Sequence, residues 1–283
     1  MLAARLATAI IGIPLLLGLV WLGGPTFIVV TGLAAAQAAD EARRLLVPNC
    51  PKLLVATILV SSVSLVLAAG ISSSLVLAVL GIAAIALFAE SLLPGLATRN
   101  AFPWTTGIAT VVYAGLPLAL LVLLRASPGP PILATLPLGV RSIPLGVGWV
   151  CVVFSATWAV DSVAYVIGRA FGTHRFSLRL SPKKTWEGTI AGVAAGTLAF
   201  VAWSPAFAWS TFPAVVSGIL ISIACVLGDL AESSLKRAAG VKDSGRLLPG
   251  HGGLLDRIDS LGFSIVVVFF LQGLDQSAQI LGR

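Results

Sequence analysis

Apolar residues run along this chain in long blocks that polar residues interrupt at only a few places. Nine blocks stand out, at 6–22, 25–39, 53–69, 73–93, 103–124, 144–168, 188–209, 212–230 and 262–281. Most reach or approach the roughly 20 apolar residues a helix needs to cross a bilayer, and the second and third fall short of it. A lipid-exposed segment has to satisfy its backbone internally, so every block predicts a helix. The stretch from 124 to 150 breaks the pattern. Pro128, Pro130, Pro131, Pro137 and Pro144 predict an irregular connection there, with a partly re-entrant course as the alternative. No internal repeat, low-complexity tail or long linker interrupts the blocks. The pattern predicts an all-α integral membrane protein of about nine transmembrane helices forming a single multi-pass domain, 1–283. Within it, 1–150 supplies apolar N-terminal helices and 151–283 the helices that carry chemistry.

Composition strengthens this reading. The 283 residues are 58% hydrophobic and 10% charged, against about 25% charged in a soluble domain, and mean hydropathy is +1.02. The formal net charge of +7 falls in the loops between blocks. It therefore fits the positive-inside rule better than nucleic-acid binding, and no nucleic-acid partner is expected. With the N-terminus placed in the cytoplasm, that side collects Arg5, Arg43, Arg44, Lys52, Arg99, Arg169, Arg175, Arg179, Lys183, Lys184, Lys236, Arg237, Lys242, Arg246 and Arg257. Only Arg125, Arg141 and Arg283 remain opposite. This asymmetry predicts the loops 169–187 and 231–261 to be cytoplasmic. Arg5 before an apolar run and Ala36-Gln37-Ala38 resemble a signal peptide with its cleavage site, but the site lies beyond the usual 15–30 residues, so a retained first span is expected. Cys50, Cys151 and Cys225 are far apart in or beside apolar blocks and read as small apolar residues rather than a zinc site or a disulfide framework.

The candidate chemistry lies toward the C-terminal end. Asp161, Glu187, Asp229, Glu232, Asp243, Asp256 and Asp259, seven of the eleven acids, fall between 161 and 259. Asp161 sits deep in VCVVFSATWAVDSVAYVIGR, where an ionisable group is costly and usually functional; a solvated helix end pairing with Arg169 is the structural alternative. In SPKKTWEG, Ser181 and Thr185 offer hydroxyls and Lys183 and Lys184 offer ammonium groups. Thr185 is also placed to cap a helix starting near Trp186, which makes a plausible phosphate-binding turn; a basic loop obeying the positive-inside rule accounts for it equally well. Gly188, Gly192 and Gly196 follow at four-residue spacing and predict close helix packing. On the helix ending CVLGDLAESSLKR, Asp229, Glu232 and Lys236 share one face.

The polar island from Ser233 to Asp259 is the most informative stretch. It holds Lys236, Arg237, Lys242, Arg246 and Arg257 with Asp243, Asp256, Asp259 and His251, around a turn rich in glycine. Carboxylates, strong cations and backbone able to approach a ligand closely point to a metal ion meeting phosphates. Asp256 and Asp259 fall at the start of the last helix, where acids also suit the helix dipole. With Asp229 they compose a hard oxygen-ligand set of the kind Mg²⁺ favours. Nothing in the chain reads as a P-loop, a dinucleotide-binding turn or a nucleophile elbow.

The run S-x-L-K-R-x4-K-D-x-G-x2-L-P-x-H-G-G-x2-D-R-x-D, from Ser233 to Asp259, resembles the signature of the phosphatidate cytidylyltransferases (CDP-diacylglycerol synthases). SPKKTWEG and D-S-x-A-Y-x-x-G-R-x-F-G, from Asp161 to Gly172, are similar to the same family. The resemblance is specific over about 155–265; the N-terminal half matches only in being apolar and multi-spanning. It implies transfer of the cytidylyl group of CTP to phosphatidic acid, Mg²⁺ dependence with K⁺ as a candidate second cation, a homodimer, and a bacterial inner-membrane location with the site facing the cytoplasm. By similarity, Asp229 and Asp256 become the metal carboxylates. Lys236, Lys242, Asp243 and Asp259 join them as catalytic candidates. Ser181, Lys183, Lys184, Thr185, Arg237, His251, Arg257 and Asp161 become candidates for binding substrate. Other readings remain: a related membrane enzyme acting on another lipid, such as a CDP-archaeol synthase or a polyprenol kinase, or a transporter that uses Asp161 and Asp229 as coupling groups.

Overall fold

The structure, a computed structural model, describes residues 2–48, 51–93, 103–136, 139–177, 180–247 and 252–281. Among these, helices follow the apolar blocks closely. They are α1 (Leu2–Leu22), α2 (Gly24–Leu46), α3 (Lys52–Ala69), α4 (Ser73–Ser91), α5 (Pro103–Thr110), α6 (Leu116–Arg125), α7 (Leu145–Phe171), α8 (Trp186–Trp203), α9 (Thr211–Ala238) and α10 (Leu255–Leu281). Among the described residues, seven helical stretches are long and apolar enough to cross a membrane: α3, α4, the α5–α6 rod, α7, α8 with its 3₁₀ extension, α9 and α10. Seven of the nine predicted spans are thus supported. In the first, Ile10–Leu22 is a shorter apolar helix. The second ends in the charged turns of α2.

Three helices outrun their apolar blocks. α2 continues past 39 to Leu46, α9 past 230 to Ala238, and α10 begins at Leu255 rather than 262. The extra turns carry Asp40, Glu41, Arg43 and Arg44; Glu232, Lys236 and Arg237; and Asp256, Arg257 and Asp259. Hydropathy marks only where a helix is apolar. The residues in these extensions are largely good helix formers, so the backbone continues into the polar region.

The proline-rich connection is not wholly irregular. β1 (Ile132–Leu136) pairs antiparallel with β2 (Gly139–Ile143). A second hairpin joins β3 (Arg175–Ser177) and β4 (Ser181–Thr185) just ahead of α8. The all-α expectation is therefore amended by two short hairpins. A π-helical turn, Val111–Gly115, joins α5 to α6. Pro117 supplies no N–H to the carbonyl four residues back, so the hydrogen-bond register is disturbed at that point.

The chain forms two compact units. One contains residues 1–126 with 235–258, the other 127–234 with 259–283. In the first, α2, α3, α4 and the α5–α6 rod pack together around Ala35, Ala38, Ile58, Leu65, Leu87, Ala114 and Leu124. Arg125 closes this bundle by donating to the carbonyls of Val20 and Trp21 at the end of α1. In the second, α7 and α8 meet along small residues. A Cβ added at Gly188 would lie 2.6 Å from the Ala164 carbonyl, and one at Gly192 would lie 2.8 Å from the Val160 carbonyl. At Gly218 on α9 it would lie 2.8 Å from Thr197 Cα. The four-residue glycine spacing thus permits backbone contact.

Gly192→Val is expected to destabilise the folded protein by about 1–3 kcal/mol through overpacking. Gly81→Ala, where an added Cβ meets nothing within 4 Å, should be neutral or stabilising. Thermal unfolding in detergent micelles compares the two, and an unchanged midpoint for Gly192→Val would contradict the packing.

Candidate functional site

Sequence-predicted site residues gather in both units. In the unit built on α7, α8 and α9, the anchor is the start of α8. Thr185 takes the extended conformation of an N-cap, and its Oγ1 accepts from Gly188 N at 3.2 Å. The predicted cap is therefore formed, and Thr185 is buried. Capping leaves the direction of the preceding residue well defined. Lys184 reaches Asp229 on α9, Nζ to Oδ2 at 2.5 Å, with both side chains about a quarter exposed. Ser233 donates to the other oxygen of Asp229 at 3.3 Å. Lys183 and Pro182 are exposed, and Ser181 is half-buried in β4.

Asp161 on α7 lies in the electrostatic surroundings of Asp259, Asp229 and Lys184. Cys225 Sγ donates to its Oδ1 at 3.8 Å. The alternative pairing of Asp161 with Arg169 does not form; Arg169 instead donates to Tyr165 Oη. Asp161, Asp229, Asp259 and Lys184 therefore form one polar group in this unit, with three acids near one ammonium. Outside this group, Glu187 ties the β3–β4 hairpin to α8 by accepting from Thr173 Oγ1 at 2.7 Å and from His174 N at 3.1 Å.

In the other unit the polar island folds around Asp256. Its Oδ2 accepts from Ser244 N at 2.9 Å, Ser244 Oγ at 3.0 Å and Gly253 N at 2.8 Å. Its Oδ1 takes Lys236 Nζ at 2.7 Å. The turn depends on Gly252, whose φ of +82° is left-handed and where a Cβ would come 2.6 Å from Asp256 Oδ2. Lys242, Asp243, Arg237 and Arg257 are exposed around this core, and Arg237 donates to the Val241 carbonyl at 3.2 Å. His251 lies outside the described residues.

One residue here had no place among the sequence candidates. Glu41, near the end of α2, is 2% exposed. Its oxygens accept from Leu254 N at 3.1 Å, Leu255 N at 2.8 Å, Ser244 Oγ at 2.9 Å and Gln37 Nε2 at 2.8 Å. The only sequence signal for it is a short charged run, Asp40-Glu41-Ala42-Arg43-Arg44, at the end of an apolar block. Asp40 pairs with Arg43 and Arg44.

All these acids are hard oxygen donors, and the nearest soft ligand, the Cys225 thiol, is engaged with Asp161. Among the described residues no three His, Cys, Asp or Glu side chains converge on a common metal-binding point. Asp229 and Asp259 belong to one unit and Asp256 to the other. The donor chemistry fits Mg²⁺ held by one or two carboxylates with substrate and water oxygens completing the shell. Asp229, joined to a partly exposed lysine and a weakly placed hydroxyl, is the more accessible of the two carboxylates.

The model of the cytidylyltransferase family matches residues 3–274. The phosphatidate cytidylyltransferase of Synechocystis sp. is 43% identical over 132 residues, covering 46% of this chain and 45% of that protein. That of Brucella melitensis is 46% identical over 119 residues, covering 42% and 44%. That of Haemophilus influenzae is 48% identical over 126 residues, covering 42% of each. The matched stretch spans under half the length of these relatives.

Thr185→Ala should weaken the α8 start by about 1 kcal/mol, while Thr185→Ser keeps most of the cap. Thermal unfolding of both variants is the check. Equal stability of Thr185→Ala and the parent protein would show that the cap contributes nothing.

Proposed function

The chain belongs to the cytidylyltransferase family, and from that premise we propose that it transfers the cytidylyl group of CTP to phosphatidic acid, forming CDP-diacylglycerol and pyrophosphate for phospholipid synthesis. The carrying observation is the pairing of carboxylates with lysines at Asp229–Lys184 and Asp256–Lys236, within a chain whose helices suit a bilayer.

In this reaction an oxygen of the phosphatidate phosphate attacks the α-phosphorus of CTP. The new P–O bond forms as the bond from the α-phosphorus to the bridging oxygen breaks, and pyrophosphate leaves with that electron pair. Both reactants are anions, so the main obstacle is their mutual repulsion. Catalysis of this kind rests on positioning and charge neutralisation, with no protein nucleophile needed. Lys184 and Lys236 are held on carboxylates, and substrate phosphates can compete for their remaining N–H donors. Lys183, Lys242, Arg237 and Arg257, exposed, supply further positive charge to draw in CTP. Ser181 offers a hydroxyl to an anion, while at the start of α8 the N–H groups of Trp186 and Gly188 are taken by the His174 carbonyl and Thr185 Oγ1. Asp229 and Asp256 are the proposed Mg²⁺ carboxylates, and bound Mg²⁺ would screen phosphate charge. Asp161, Asp243 and Asp259 tune the local field, and His251 belongs to the proposed phosphate contacts through its place in the signature. K⁺ as a second cation and a homodimeric assembly are part of the same reading.

The charge asymmetry supports a cytoplasmic N-terminus and a site facing the cytoplasm of a bacterial inner membrane. CTP would then enter from water and the lipid from the adjoining leaflet.

The test is purified protein in phosphatidate-containing micelles with labelled CTP and Mg²⁺, scored for lipid-soluble cytidine. Product is expected, and Asp229→Asn should lower kcat on the order of 10²–10³-fold while leaving folded protein. Absence of product with phosphatidate, or product only with another lipid phosphate, would overturn the substrate assignment.

A further inference from the structure

Glu41 comes from the half of the chain that carries no signature, yet it is among the most enclosed acids in the protein. It spends both oxygens on the polar island. Two of its four donors, Leu254 N and Leu255 N, belong to the entry of α10, where backbone N–H groups have no intrahelical acceptor. A third donor, Ser244 Oγ, lies 2.9 Å from Glu41 Oε2 and 3.0 Å from Asp256 Oδ2. A serine hydroxyl has one proton, so this single O–H links two buried carboxylates. From Asp256 the connection continues to Lys236. The surrounding backbone leaves no slack: a Cβ at Gly245 would come 2.7 Å from Glu41 Oε1, and one at Gly253 would collide with Glu41 and with Ser244 Oγ.

We propose that Glu41 is a positioning residue for the transfer reaction. Through Ser244 and the first N–H groups of α10, it fixes the carboxylate of Asp256 and thereby the ammonium of Lys236. This inference rests on the function proposed above for Asp256 and Lys236. A carboxylate suits the task because it accepts from four converging donors. Glutamine at this position has the same reach, but it turns one acceptor into a donor facing other donors. The bond network then has to rearrange without creating a cavity. A displacement on the order of 1 Å at a reacting group is enough to cost about 10²-fold in rate.

The experiment uses the full chain in micelles with Glu41→Gln, Ser244→Ala and the double variant. Four quantities are measured: thermal midpoint, amide exchange at Leu254 and Leu255, the rate at which an amine-acylating reagent labels Lys236, and kcat and KM for CTP. Glu41→Gln is expected to remain folded, to exchange faster at both amides and to label faster at Lys236. Its kcat should fall at least about tenfold while KM for CTP changes less than about threefold. The double variant should lose less than the product of the two single losses, because both changes act along one connection. A purely structural role predicts activity loss in proportion to unfolded protein, with Lys236 labelling unchanged in the folded fraction. That result, or a folded Glu41→Gln protein with the parent's kcat and labelling rate, overturns the proposal. If the parent protein makes no CDP-lipid, the proposed function fails on its own. Exchange and Lys236 labelling then decide the positioning role: faster in Glu41→Gln upholds the connection, unchanged refutes it.

Discussion

The start of α10 has to find acceptors for its N–H groups in a chain with very few polar side chains to offer. Two carboxylates answer that demand. Asp256, one residue into the helix, takes Gly253 N in the manner of a local cap. Glu41 arrives from α2, more than two hundred residues earlier in the chain, and takes Leu254 N and Leu255 N. Ser244 Oγ lies within hydrogen-bonding distance of both acids and shares its one proton between them. Removing either acid would leave buried donors without partners, at about 1–3 kcal/mol for each. The placement of Ser244 and of Gly253–Asp256 follows from that requirement.

The carboxylates that matter differ in how fully they are engaged. Asp256 is nearly enclosed and accepts from two backbone N–H groups, a hydroxyl and an ammonium. Asp229 is more open and meets Lys184 and Ser233. An exposed ion pair contributes little to stability because water competes for both partners. The Lys184–Asp229 pair, about a quarter exposed on each side, is partly open to water and more readily parted than an enclosed pair. The Lys236–Asp256 pair is shielded, and separating it would strand charge in a dry setting.

Much of this was legible in the residue pattern. Thr185 as a cap, the glycine spacing of α8, the helical start around Asp256 and the run of apolar spans all follow from local rules that need only neighbouring residues. Glu41 was not legible, because its partners are remote in sequence and its own surroundings look like an ordinary charged helix end. The apolar block ends at 39, whereas α2 runs to Leu46 and delivers the acid from its polar extension. The β1–β2 hairpin was hidden for a different reason: the prolines around it dominate the local pattern, and the two strands are only five residues each. The partner of Asp229 was also beyond reach, since no spacing rule links a lysine before one helix to an acid on another.

The glycine seam between α7 and α8 acts as a vernier for the site. Lys184 stands two residues before α8, and Asp161 stands on α7, so the register of the two helices sets the height of one against the other. Sliding α8 by a single residue would bring Thr189 and Val193 to the places where Gly188 and Gly192 now meet backbone, and Thr197 to where Gly196 meets the side chains of Val160 and Ser222. The distance between an ammonium and an acid is thereby held by three residues that have no side chain, and the precision of the charged group is inherited from the absence of atoms elsewhere.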